Sequence, residues 1–153
     1  MAHNIEGLSD FKQVLPAGPK PSQGGIFSVR SNDIPVVLAI RAPAQLIITA
    51  ALAMDVPFAS EVWRHINDLN AKTLRVGRLF IKEYEGEGAG FGAILLQEIV
   101  ECEDLDSGPS INILLRILAG VTGMGARLSS DLCHAHGGKA PHPENWLQIM
   151  NLA

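Results

Sequence analysis

The side chains best suited to chemistry gather near the C-terminal end, where Cys133, His134, His136 and His142 follow one another closely. Thiolate and imidazole are the usual zinc ligands, so two or three of these could meet on one ion. No pair has the i, i+4 spacing that sets two His on one helix face, and no second Cys stands nearby. Cations at the negative end of a helix dipole explain the His residues more simply, and no metal ligand is assigned. A second polar set is Glu61, Arg64 and His65, the groups a small enzyme or ligand pocket would use if they converged. His65 falls off the apolar stripe of its helix and reads as a solvated side chain. Asp104 and Asp106 suit the positive end of a following helix better than calcium, because the alternating ligands and Gly of an EF-hand loop are missing. The glycines at 86, 88, 90 and 92 lack the spacing of a phosphate loop and are flanked by Glu83, Glu85 and Glu87, which would repel phosphate. They read as a mobile hairpin tip. No catalytic, cofactor-binding or metal-binding residue is assigned, and no cofactor is expected.

The elements that must position these groups follow from composition and period. The chain has 153 residues, 47% of them apolar, which suits one domain with a buried core. Its apolar runs are broken too often for a membrane-spanning helix, and the N-terminus lacks the basic-then-apolar pattern of a signal peptide. A cytoplasmic location with no membrane partner is expected. Twelve basic against sixteen acidic residues give a net charge of −4, and the basic residues are scattered, so no nucleic-acid partner is expected. Cys102 and Cys133 read as two reduced thiols, with a disulfide as the alternative.

Residues 1–25 carry Pro16, Pro19, Pro21, Gly18, Gly24 and Gly25 and read as an N-terminal arm, in which Leu8, Phe11, Val14 and Leu15 allow a short helical turn. Three apolar runs then span Ile26 to Ala53, separated by Ser31-Asn32-Asp33 and Ala42-Pro43-Ala44, and predict an antiparallel meander. The second and third runs are apolar on both sides of the alternation, so both sheet faces are expected to be partly covered. The spacing predicts a helix from Asp55 to Asn70, with Asp55 as cap, Pro57 in the first turn and Phe58, Val62, Ile66 and Leu69 on one face, Trp63 at its edge. Two strands follow, 73–84 and 90–101.

A long C-terminal helix is predicted between Asp106 and Gly138, its stripe formed by Ile111, Leu114, Leu118, Val121, Leu128 and Leu132, with Leu115 beside it. The small residues Ala119, Gly120, Gly123, Gly125 and Ala126 suit either tight packing on the sheet or a crossing between two copies of this helix. Residues 139–153 read as a tail whose Trp146, Leu147, Ile149 and Met150 pack on the body or on a neighbour. The fold class expected is α+β, a five-stranded antiparallel sheet in β-β-β-α-β-β-α order packed against a middle helix and a long C-terminal helix, the body spanning 26–138.

The Ile66-Asn67-x-x-Asn70 end of the middle helix, the Gly77-Arg78 step into a strand and the Leu/Ala/Gly-rich last helix resemble the YbjN-like family of bacterial sensory transduction regulators. That family shares the fold of the type III secretion chaperones. The resemblance covers residues 26 to 138 and rests on element order and loose pattern. It departs at the arm, where the family has a well-formed helix, and at the tail, which is an addition. What it implies is an α+β sandwich, commonly a homodimer, that binds protein segments and has no active site. Together with the apolar strands, whose surface this chain alone can scarcely cover and which another polypeptide is expected to close, it leads to the expectation of a non-enzymatic, chaperone-like or regulatory module that binds a segment of an unidentified protein partner. The alternative is a small ligand- or metal-binding domain or enzyme using the C-terminal His and Cys residues. A third reading is a purely structural dimer module.

Overall fold

The computed structural model describes residues 2–5, 25–31, 34–41, 45–74, 76–83, 90–101 and 108–141. The β-branched runs form one sheet: β1 Ala2–Ile5, β2 Gly25–Ser31, β3 Ile34–Arg41, β4 Gln45–Pro57, β5 Arg78–Glu83 and β6 Phe91–Glu101. Their spatial order is β1-β2-β3-β4-β6-β5. Neighbours from β2 to β5 are antiparallel, whereas β1 runs parallel to β2 from Ala2↔Ile26 to Ile5↔Val29. The helices are α1, Ser60–Lys72, and α2, Gly108–His136. The class is thus α+β with an antiparallel sheet.

The expected count of five strands and the β-β-β-α-β-β-α order do not hold, because β1 adds a strand inside the segment read as an arm. Four residues have no alternation of their own to read. The outer edge of β2 supplies them with a ladder. The expected helical turn over 8–15, the connectors at 32–33 and 42–44, the glycine loop up to Ala89, Cys102, Asp104, Asp106 and the tail from His142 lie outside the described residues.

Element boundaries shift around β4. The strand runs through Asp55 to Pro57, so these residues end a strand where they were expected to open a helix. Register shifts between Ala51 and Ala53 and between Ala53 and Val56 carry it that far, and Asp55 adopts a left-handed φ of 53° there. Ala59 takes the N-cap place of α1 with no side-chain bond, and Glu61 and Lys72 sit at the dipole ends that favour their charges. Nor do Asn67 and Asn70 release the chain. The helix continues to Lys72, where the N–H groups of Thr73 and Leu74 donate to the Leu69 carbonyl. Strand β5 therefore starts at Arg78, after Gly77, whose φ is +73° and whose Cα lies so close to the Gln97 carbonyl that a Cβ would fall 2.9 Å from its oxygen.

Both helices lie on one face. Val62 and Ile66 of α1 and Leu118, Val121 and Leu132 of α2 meet Val36, Leu38, Leu46, Ile48, Leu52, Ile94 and Leu96 in the main core. The stripe predicted for α1 holds, with Trp63 at its exposed edge stacked on Phe58 at 6.2 Å. On α2 the buried line passes through Thr122, Gly125 and Ser129, while Leu128 is only half-buried. Gly125 faces the sheet so closely that a Cβ would meet Leu52 Cδ2 at 2.9 Å, whereas Ala119, Gly123 and Ala126 turn away from it. Of these small residues, Gly125 thus takes the role of tight packing on the sheet.

The opposite sheet face carries a second buried cluster of Val37, Ala51, Met54, Ala93 and Leu95, with Phe80 against it. Fully buried Thr49 accepts a hydrogen bond from Gln97 Nε2 at 3.1 Å on this face. Both faces are covered here, as the two-sided apolar pattern of β3 and β4 requires. The broad apolar surface expected to await another polypeptide is closed at these positions. Among the described residues, no helix is long and apolar enough to cross a membrane.

Candidate functional site

Two strands outrun their neighbours, and the two overhangs are treated differently. Strand β4 pairs with β3 only as far as Val36↔Ala50, which leaves Ala51–Pro57 without β3 on that side. The end of α2 fills this gap. Ser129 Oγ donates to the Leu52 carbonyl at 2.6 Å, and Cys133 Sγ donates to the same oxygen at 3.6 Å. Just beyond the left-handed Gly137, Lys139 and Met54 exchange both backbone hydrogen bonds at 2.8 Å. Lys139 Nζ also pairs with Asp55 at 3.4 Å.

The second overhang is on β6. Its pairing with β5 ends at Arg78↔Gln97, while its pairing with β4 continues to Gln45↔Glu101. Residues 98–101 therefore have a ladder on one side and no strand on the other among the described residues. A cavity of about 490 Å³ opens at this notch, lined by Asn70, Leu74, Arg78, Phe80, Glu98 and Ile99 among others. Ile99 is 50% exposed, high for a β-branched residue in a strand whose residues 92–96 and 100 are buried. Arg78 and Glu98 place opposite charges beside it. The site offers a strand edge that no other described strand pairs, an apolar contact and two charges, which suits an added strand.

Beside the notch the sheet edge is blocked. The Asn70 amide donates to the Leu79 carbonyl at 2.9 Å and accepts from the Leu79 N–H at 2.8 Å, imitating one residue of a neighbouring strand. Exposed Lys82 and Glu83 add charge further along β5, a common means of discouraging edge pairing.

The chemically suggestive residues of the sequence separate in space. His65 is not simply solvated: its Nδ1 lies 2.7 Å from His136 Nε2, joining α1 to the last residue of α2. Both rings are half-buried, with centroids 5.0 Å apart. Burial, then the nearness of His65, holds the His136 pKa below the ordinary imidazole value, and Glu61 opposes this. Arg64 and His134 are exposed. Cys133 is turned to the sheet, and burial raises its thiol pKa despite the opposing Ser129 hydrogen bond, which leaves a weak nucleophile and a weak ligand. Among the described residues, no three His, Cys, Asp or Glu side chains are placed to share one ion; His142 lies outside them.

No family model, no curated protein and no solved structure matches this chain. The overhang at β6 was missed by sequence reasoning, since strand lengths alone do not reveal which residues lack a partner. The one available signal was the length of the run 90–101 against the short apolar stretch of β5.

Proposed function

We propose that this chain is a non-enzymatic protein-binding module of chaperone-like or regulatory type, working in the cytoplasm as a homodimer that holds a segment of a partner protein. The observation that carries the reading is the notch at residues 98–101 of β6, with half-exposed Ile99 and a cavity of about 490 Å³ beside it. An extended segment laid there would gain main-chain bonds, while Ile99, Phe80 and Leu74 would select its apolar side chains. The resemblance to the YbjN-like regulators supports the same reading through the order of α1, the two strands after it and α2. The dimer has a separate support in the outer side of α2, where exposed Ile113 is followed by Ala119, Gly123 and Ala126, small enough for close helix contact.

A photo-crosslinking residue placed at Ile99, with Arg64 on α1 as control, tests the segment-binding claim in cells. Adducts to one protein at position 99 and none at 64 are expected. Equal labelling at both positions, or none at 99, overturns the claim. Light scattering on the purified chain tests the homodimer.

A further inference from the structure

We propose that the contact between His65 and His136 is a proton-operated latch that fastens the last turn of α2, and with it the Met54–Lys139 bridge, to the body of the protein. The argument begins with the atoms. A nitrogen-to-nitrogen distance of 2.7 Å between His65 Nδ1 and His136 Nε2 requires one ring to donate and the other to accept. Two neutral rings satisfy this through the right tautomers, and one cation donating to one neutral ring also satisfies it. Two cations do not, because both nitrogens then carry protons and face each other in half-buried surroundings.

What the contact holds is specific. His136 is the final residue of α2, Gly137 turns the chain through a left-handed φ of 70°, and Gly138 sits where a Cβ would meet Val56 Cγ2 at 2.8 Å. Lys139 then forms its two backbone bonds with Met54. Among the described residues, the charged groups around the latch are few. Glu61 stands one turn before His65 on α1, and its charge favours the protonated form of His136 but is outweighed by burial and by His65. Asp68, one turn beyond, is held by Lys72 at 3.4 Å, and from β4 Asp55 pairs with Lys139 at 3.4 Å. Exposed Asp131 and His134 belong to the same last turns of α2.

The direction of the pH dependence follows. His136 binds its proton less readily when folded than when unfolded, so the open form takes up more protons at mildly acidic pH. The latch is fully effective above the ordinary imidazole pKa. Its contribution is lost as pH falls from there toward the lower folded value.

Hydrogen exchange on the intact chain tests this, read as protection factors so that the intrinsic pH dependence of exchange is removed. Between about pH 7.5 and pH 5, the Met54 and Lys139 amides are expected to lose protection severalfold as the open form takes up protons. Amides of Leu46–Ile48, paired in the regular part of the sheet, are expected to hold theirs. His65→Gln removes the ring that faces His136 but not its burial, and should weaken the pH dependence at Met54 and Lys139, whereas His134→Gln should preserve it in full. Should His65→Gln fail to fold, NMR titration of the imidazoles in the unmodified chain decides: His136 should protonate below the ordinary imidazole value. Constant protection at Met54 across this range, an equal loss in His65→Gln, or protonation of His136 at or above the ordinary imidazole value overturns the proposal.

Discussion

The overhang of β4 and the overhang of β6 begin as the same structural problem. Each leaves a row of backbone groups without the strand that would pair them, and a bare edge invites pairing by another chain. At β4 the molecule closes the gap itself, with Ser129, Cys133 and Lys139 bonding to Leu52 and Met54. At β6 the described residues leave the gap beside a cavity and half-exposed Ile99, although only a few residues away Asn70 seals Leu79. The chain thus has the means to seal an edge and applies it selectively. The difference separates an edge that the chain closes with its own atoms from one that the described residues leave open.

The largest break in this comparison should come at the sealed end. Leu52 is fully buried against Gly125, so Leu52→Ala is expected to cost about 2–5 kcal/mol in chemical denaturation. Gly125→Ala alone should destabilise by about 1–3 kcal/mol through overpacking, and less in the Leu52→Ala background, where the missing methyls make room. Next in size, Ser129→Ala leaves the buried Leu52 carbonyl with only the weak Cys133 thiol and should cost about 1–3 kcal/mol. Asn70→Ala removes two bonds to Leu79 and should cost about 1–2 kcal/mol, with concentration-dependent association in light scattering as the β5 edge opens. Smallest in stability is Ile99→Asp, expected within about 0.5 kcal/mol of the parent because the side chain is already half in water. That substitution should nonetheless abolish crosslinking from a residue placed at Arg78, which sharpens the contrast between the two ends.

Much of the framework was legible because it rests on period. The runs that became β3, β4 and β6 are apolar on both sides and buried on both sides, and the α1 stripe of Val62 and Ile66 is where 3.6-residue spacing puts it. Where pairing choices decide, period says nothing. The bulges that carry β4 through Asp55 arise from register against β6, and the α2 face continues through Thr122, Gly125 and Ser129, whose small or polar side chains break an apolar pattern while fitting the space against Leu52. The candidate site was hidden for a related reason. In the sequence Asn70 looks like a helix-ending residue because its amide partner lies nine residues on in another element, and His65 looks solvated because His136 is 71 positions away. Only the β6 side of the notch was in view, as a strand, with no hint of its unpaired side.

The Met54–Lys139 bridge also bears on how the chain emerges from the ribosome. Synthesis proceeds from the N-terminus, so β4 is complete well before α2 and Lys139 exist, and its second half waits as a naked ribbon while β6 and α2 are still being made. Nascent chains at that stage expose a sticky strand, and a ribosome stalled before the end of α2 should shed products that clump.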